Sequence, residues 1–312
     1  MIVSINKNFL QNQQCMLCSK SEFEFVHSLR DDDSRSAYRC MNCEHIQVIP
    51  LPTVEEDAEY YASDKMYKNI FKGNSIMQKE ENLMERYRTY VEDELRKFAT
   101  FIKRGERILD IGTGYGWLVE LLRNDGYQVD GVEISEEKRI LCRRRCGIEI
   151  YDWNLMGDSS EMRSKQGYYD IVCLQQTLEH ISDPVSFLLR VSDLIKPDGR
   201  IFVSVPNQND ILKTIEPIYE KYHYLRPHLS YFTSQTLSLL LCNCGFKNIE
   251  VYGHQVYSIE NHIWWLRQKQ PYLNAHLINL PEPLEWINKI YKNQLESELI
   301  SNVIIGIGYK KG

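Results

Sequence analysis

Arg107-Ile-Leu-Asp-Ile-Gly-Thr-Gly-Tyr-Gly-Trp117 is the stretch on which the fold turns. Its first half, Ile108 to Ile111 around Asp110, is aliphatic in the manner of a parallel strand buried on both faces. It runs straight into Gly112, Gly114 and Gly116 at alternate positions. Glycine there permits positive φ and lets a ligand lie against bare main chain, while the helix predicted from Trp117 to Arg123 points its first amides at that ligand. Gln128 to Glu133 (QVDGVE) reads as the next strand. It ends on Glu133, about 20 residues past the first glycine, where a carboxylate can accept from both hydroxyls of a ribose. The spacing fits a nucleoside ligand. The glycines follow Gly-x-Gly-x-Gly, where a dinucleotide-binding turn has Gly-x-Gly-x-x-Gly, and the acidic Asp110 precedes them.

This combination resembles motif I of the class I methyltransferases that use S-adenosylmethionine. The resemblance implies a Rossmann-like, seven-stranded, doubly wound α/β sheet, with Asp110, Gly112, Gly114, Gly116 and Glu133 binding the cofactor. Ser135, followed by Glu136 and Glu137, reads as the start of a helix that ends in the basic run Arg143 to Arg145, where cations suit the helix dipole. Ile148 to Tyr151 is the third strand, and in this family the residues after it hold the adenine, which points to Asn154 or Asp152. Tyr169 to Leu174 is the fourth strand. Gln175 to His180 then leave its carboxyl end, where a doubly wound sheet places its ligand crevice, so Gln175 joins the cofactor set. Asp183-Pro184 supplies an N-cap and a first-turn proline for a helix over Pro184 to Leu194. The stretch DIVCLQQTLEHISDP resembles the corresponding passage of small-molecule methyltransferases, ubiquinone-pathway O-methyltransferases and sugar methyltransferases among them. After a turn at Pro197-Asp198-Gly199, strands are expected over Arg200 to Val205 and Phe246 to Tyr252. The closing strand, Ser301 to Lys310, is one that this family lays antiparallel into the sheet. Leu237, Leu240, Leu241 and Cys244 form a helical core stripe, with Cys242 and Cys244 read as buried thiols. Ile263 to Arg267 and Leu284 to Leu295 read as helices.

The chain has 312 residues, 37 Lys plus Arg against 43 Asp plus Glu, and a net charge of −6. That acidity argues against a general nucleic-acid or anionic-membrane binder. No apolar run approaches the roughly 20 residues of a membrane span, and the N-terminus has no signal-peptide order, so a cytoplasmic protein is expected. Nine cysteines in such a compartment direct attention to spacing rather than to disulfides. Cys15-Met-Leu-Cys18 and Cys40-Met-Asn-Cys43 are two C-x-x-C pairs that can present four thiolates to one structural Zn²⁺, with short strands between them. The expected organisation is a zinc ribbon over 1–52, a linker over 53–74 carrying Tyr60, Tyr61 and Tyr67, and the methyltransferase domain over 75–312. A helix with an apolar stripe over Ser75 to Phe98 opens that domain.

Between Asn207 and Thr233 lies an aromatic insertion, 207–233, that is expected to roof the acceptor pocket. Transfer of a methyl group to a hydroxyl or carbon acid needs a general base, and His228, His180 and His223 are the side chains that titrate near neutrality. His228 is preferred for its place in the roof. The ribbon together with the main domain resembles a bacterial group linked to sugar and surface-polysaccharide pathways, which implies a nucleotide-linked or polysaccharide sugar as small-molecule acceptor. No Asn/Asp-Pro-Pro-Tyr passage follows the fourth strand, where Leu174-Gln175-Gln176-Thr177 stands, so DNA is not expected as a substrate. Two alternatives stay open: an RNA methyltransferase with its own zinc ribbon, and a non-catalytic S-adenosylmethionine-binding module whose ribbon docks a protein partner.

Overall fold

The computed structural model describes residues 13–53, 55–56, 92–95, 97–157, 159–271 and 284–312. The linker tyrosines and most of the helix read over Ser75 to Phe98 lie outside the described residues. Strands β1 (Phe23–Ser28), β2 (Ser36–Cys40) and β3 (Ile46–Ile49) form an antiparallel meander near the N-terminus. The larger sheet is built from β4 (Arg107–Ile111), β5 (Gln128–Val132), β6 (Ile150–Tyr151), β7 (Tyr169–Gln175), β8 (Ile195–Pro206), β10 (Phe246–His254) and β11 (Val303–Lys310). Their order is β10-β11-β8-β7-β4-β5-β6. β4 pairs in parallel with both β5 and β7, so the chain reverses its winding between β4 and β7 and opens a crevice at their carboxyl ends. β11 enters antiparallel between β8 and β10, as the sequence led one to expect.

Period-two alternation explains why this sheet is covered on both faces. Leu109, Ile111, Val172, Leu174, Val203 and Val205 face one layer, packed on Phe187, Leu188 and Val191 and on Leu237, Leu240 and Leu241. Ile108, Ile171, Phe202 and Ile305 face the other, packed on Leu118, Val119 and Leu122. The covering helices are α1 (Trp117–Asn124) and α2 (Glu136–Cys146), then α3 (Pro184–Leu194) and α4 (Ser234–Asn243). Ser135 Oγ accepts from Lys138 N–H at the start of α2, and Asp183 Oδ1 accepts from Ser186 N–H at the start of α3. Thr233 and Thr236 form a reciprocal capping box on α4. Two expectations change. The Pro197-Asp198-Gly199 turn is taken up inside β8 as a bulge, where Tyr169 pairs with Ile195 but Ile171 already with Arg200. Cys244 is buried as expected, but Cys242 is exposed, because the helix turns it away from the leucine stripe.

The aromatic insertion does more than cover the sheet. Its short strand β9 (Ser230–Tyr231) pairs with β3, making a four-stranded sheet β1-β2-β3-β9. Tyr224, Leu229 and Tyr231 complete a core with Leu29, Ala37, Ile46 and Val48. Arg30 N–H donates to the Tyr224 carbonyl, Val48 N–H to the Leu229 carbonyl and Arg226 N–H to Asp31 Oδ1. The N-terminal meander is therefore hydrogen-bonded to the insertion that carries His228.

Candidate functional site

The glycine turn between β4 and α1 is held in the left-handed region at all three positions, with φ of +78° at Gly112, +56° at Gly114 and +83° at Gly116. Each glycine has a different reason to be one. A Cβ at Gly112 would stand 2.3 Å from Thr177 Oγ1, and one at Gly116 would stand 2.4 Å from Cys142 Sγ. A Cβ at Gly114 meets nothing closer than 3.9 Å. Gly112 and Gly116 are thus demanded by neighbours within the protein, and Gly114 alone presents open main chain. Its N–H donates to Glu133 Oε2 at 2.9 Å, and Ser135 N–H donates to Glu133 Oε1 at 2.9 Å. Both carboxylate oxygens of Glu133 are aimed by backbone amides, which leaves each further lone pairs for hydroxyl donors. Asp110, one residue before the end of β4, is buried; burial first, then the Glu133 charge, pushes its carboxyl up to about 7.

Gln175 ends β7 and donates through Nε2 to Glu94 Oε2 at 2.6 Å; Ser204 Oγ donates to the same oxygen at 3.0 Å. Gln176 has a φ of +47°, an uncommon conformation for a residue with a side chain, and this turn lays Thr177 across Gly112. Thr177 Oγ1 accordingly donates to the carbonyls of Ile111 and Gln175. Asn154, two residues beyond Asp152, accepts from Met156 N–H through Oδ1, and so shapes its own loop after β6. Beside it Trp153 is buried, stacked on Tyr151 at 4.1 Å, with its indole N–H on Glu161 Oε2.

A single-turn 3₁₀ helix, Leu178–His180, carries the next groups. His180 Nδ1–H donates to the Pro227 carbonyl at 2.7 Å, which leaves the lone pair of the neutral ring on Nε2. That nitrogen lies 3.9 Å from Glu179 Oε1. The His180 and His228 rings meet edge to face with centroids 5.1 Å apart. Burial, with His180 adding to it, pushes His228 down to about 3, so it is a neutral imidazole at physiological pH. Glu179 is buried; desolvation raises its carboxyl, its own backbone amide lowers it, and Glu94 raises it again, to about 8. The structure brings His180 and His228 together, and the Tyr231 ring lies between His228, at 6.3 Å, and His223, at 5.4 Å. His223 is buried with Nε2 against Gln208 Oε1, among the rings of Tyr219, Tyr224 and Tyr231. Glu94, Thr177 and Glu179 were not singled out from the sequence. Glu179 stood inside the quoted LEH passage; Glu94 carried no signal, because it lies on a helix read only for its apolar stripe.

The four ribbon cysteines converge. Cys15 and Cys43 Sγ lie 3.5 Å apart, as do Cys18 and Cys40, and all four sulfurs fall within 4.8 Å of one another. Each C-x-x-C forms the same knuckle: Ser19 N–H donates to the Cys15 carbonyl and Glu44 N–H to the Cys40 carbonyl. Ser19 and Glu44 both take left-handed φ, +59° and +64°. A tetrahedral Zn²⁺ with bonds of about 2.3 Å needs sulfurs about 3.8 Å apart, so the donor set fits that ion. Burial pushes the Cys15 thiol up to about 12, a shift that a bound cation would reverse.

Residues 83–251 match the family described as a methyltransferase domain. A ubiquinone biosynthesis O-methyltransferase of Aeromonas salmonicida is 34% identical over 108 residues, 34% of this chain and 45% of that protein. One of Thiobacillus denitrificans is 31% identical over 111 residues, 34% of this chain and 46% of that protein. The chain thus spans less than half the length of the curated relatives it matches. A SAM-dependent methyltransferase from Archaeoglobus fulgidus superposes with a TM-score of 0.51 at 18% identity, covering 80% of this chain and 100% of that one. Another, from Thermotoga maritima, does so with a TM-score of 0.52 at 17% identity, covering 76% and 96%. These two likenesses establish the seven-stranded fold.

Proposed function

The chain belongs to the methyltransferase-domain family, and on that premise we propose that it moves the methyl group of S-adenosylmethionine to a hydroxyl of a small-molecule acceptor, a nucleotide-linked or surface-polysaccharide sugar. The observation that carries this reading is the His180–His228 pair, set beside buried Glu179 at the carboxyl end of β7 and next to the glycine turn. When bound, the cofactor supplies an electrophilic methyl on a sulfonium. Glu133, aimed by the Gly114 and Ser135 amides, would accept the ribose hydroxyls, with the Gly114 main chain against the ligand. We assign Asp110 and Gln175 to the walls of the same cleft and Asn154 to the loop at the adenine end. His180 is the base we favour: the Pro227 carbonyl holds its tautomer and Nε2 takes the acceptor's proton, while His228 lines the acceptor side. We assign His223 to packing of the roof. Cys15, Cys18, Cys40 and Cys43 would hold a structural Zn²⁺, closed to substrate by its full ligand set. No helix among the described residues is long and apolar enough to cross a membrane, and we place the reaction in the cytoplasm.

A paired imidazole site speaks for an enzyme over a module that only senses the cofactor. The net charge of −6 speaks against RNA. A second acceptor class is favoured by one specific observation, the likeness to ubiquinone biosynthesis O-methyltransferases: an acceptor of that pathway. S-adenosylhomocysteine release with a panel of nucleotide sugars, ubiquinone precursors and structured RNA separates the readings. Turnover confined to nucleotide sugars is expected; turnover confined to either other class would replace the sugar reading.

A further inference from the structure

Cys142 and Cys146 stand one turn apart on α2, with their sulfurs 3.8 Å from each other. Neither belongs to the ribbon cluster of Cys15, Cys18, Cys40 and Cys43. Both lie against Gly116, which ends the glycine turn and caps α1: a Cβ there would stand 2.4 Å from Cys142 Sγ and 3.0 Å from Cys146 Sγ. The Cys146 thiol donates to the Gly116 carbonyl at 3.4 Å, and the same carbonyl accepts from Glu120 N–H in the first turn of α1. Beside it the Arg145 guanidinium lies over the Trp117 ring, 3.3 Å from its centroid, and reaches Glu120 at 3.7 Å. The last turn of α2 and the first turn of α1 are thus packed as one unit that includes both thiols. The two differ in setting, for Cys142 is buried and Cys146 is partly exposed. The hydrogen bond from Cys142, helped by Arg145 and Arg123, holds the Cys146 thiol below the ordinary cysteine value against its burial and Glu120. The same hydrogen bond, then burial, pushes Cys142 well up. A reachable thiol favoured as thiolate, with a protonated thiol in contact, is the arrangement of an attacking and a resolving cysteine.

We propose that Cys142 and Cys146 form a peroxide-reactive dithiol, whose closure to a disulfide displaces Gly116 and weakens the binding of S-adenosylmethionine. The inference rests on the cofactor reading above and adds to it a redox control of that site. The Cys146 thiolate attacks one oxygen of hydrogen peroxide; the O–O bond breaks, a sulfenic acid forms, and the departing hydroxide takes up the proton that the thiol lost, giving water. The Cys142 sulfur then attacks the sulfenic sulfur. The S–S bond forms, the S–O bond breaks, and the hydroxide leaves with the Cys142 proton as a second water. Two thiols are oxidised and one peroxide is reduced. Closure shortens the sulfur separation from 3.8 Å to about 2.05 Å, so the last turn of α2 must rewind. Its end permits this, because Cys146 is the final helical residue and Gly147 follows in the left-handed region at a φ of +64°. Rewinding takes the S–H donor from the Gly116 carbonyl and shifts Arg145 against Trp117. The turn that presents Gly114 to the ligand then loses its support.

The test is titration calorimetry of the full-length protein with S-adenosylhomocysteine, before and after treatment with hydrogen peroxide. Arg143, Arg144 and Arg145 separate the two cysteines, so trypsin cuts between them and only a disulfide keeps the two peptides joined in mass spectrometry. Peroxide should produce the joined peptides and weaken binding by roughly 5- to 150-fold, the span of coupling between linked sites, and dithiothreitol should restore it. Coupling is reciprocal, so saturating S-adenosylhomocysteine should disfavour the disulfide by the same factor in a glutathione redox buffer. Cys146→Ser keeps a donor for the Gly116 carbonyl and cannot close; its affinity should be the same before and after peroxide. Cys142→Ala serves as the second variant if the first folds poorly. An equal loss of affinity in wild type and variant would trace to other cysteines and overturn the pair. Peroxide treatment without joined peptides, or joined peptides with unchanged affinity, refutes the redox control and leaves the cofactor site standing. Failure of the reduced protein to bind S-adenosylhomocysteine refutes the cofactor reading and the control with it.

Discussion

Gly114→Ala separates the two demands that a glycine turn satisfies. The residue sits at a φ of +56°, and a Cβ there meets nothing within the protein closer than 3.9 Å. The folded state therefore suffers only the left-handed penalty, about 1–2 kcal/mol for alanine. In a chain of this size that lowers Tm by roughly 1.5–3 °C. A ligand lying on that main chain meets the new methyl directly. Overpacking a fitted contact costs about 1–3 kcal/mol, which weakens S-adenosylmethionine binding by roughly 5- to 150-fold. Gly112→Ala behaves differently, because its Cβ would stand 2.3 Å from Thr177 Oγ1. It should destabilise the protein more than Gly114→Ala does, and Thr177→Ala should restore part of the loss. Thermal unfolding and titration calorimetry on the same samples read both quantities. A Gly114→Ala protein with lowered Tm and wild-type affinity would show that the ligand does not lie on this turn.

Metal analysis of the folded, reduced protein should find one zinc per chain, and none would refute the ribbon assignment. Val48 N–H bonds the Leu229 carbonyl and Leu229 N–H bonds the Glu179 carbonyl; Cys40→Ser should therefore cut turnover more than cofactor affinity. Equal loss of both would deny that coupling. His180→Ala should lower kcat by about 10²–10⁴ with cofactor affinity unchanged, His228→Ala by less, and near-normal turnover in both would remove the base from this pair. Stability of the ligand-free protein should respond to pH through Glu179 and Asp110, pushed up to about 8 and about 7 in the fold. These groups hold protons that the unfolded chain gives up near pH 4, so their contribution is complete below that pH and is lost as pH rises through 7–8. The Tm advantage of Glu179→Gln over wild type should accordingly grow between pH 6 and pH 9, and a shrinking advantage would refute the burial argument.

Much of the architecture was legible because it rests on local chemistry. Alternation and aliphatic runs marked each strand of the large sheet, and the Ser135 and Asp183 caps marked where α2 and α3 begin. Where long-range packing decides, sequence reading stopped. The Pro197-Asp198-Gly199 turn looked like a strand boundary and became a bulge, because β7 continues to pair on both sides of it. Cys242 and Cys244 looked alike in sequence, and only the orientation of α4 separated them.

The sequence by itself determined the glycine turn, the acidic residue Glu133 at the end of the second strand and the four convergent cysteines, since spacing along one or two elements specifies each of them. Only the tertiary structure decided that Gly112 answers to Thr177 and Gly116 to Cys142, that β9 joins the ribbon's sheet, and that buried Glu94 accepts hydrogen bonds from Gln175 and Ser204. Those pairings join residues far apart in the chain. Their energies come from exclusion of volume and from burial of charge, which exist only once the layers have packed.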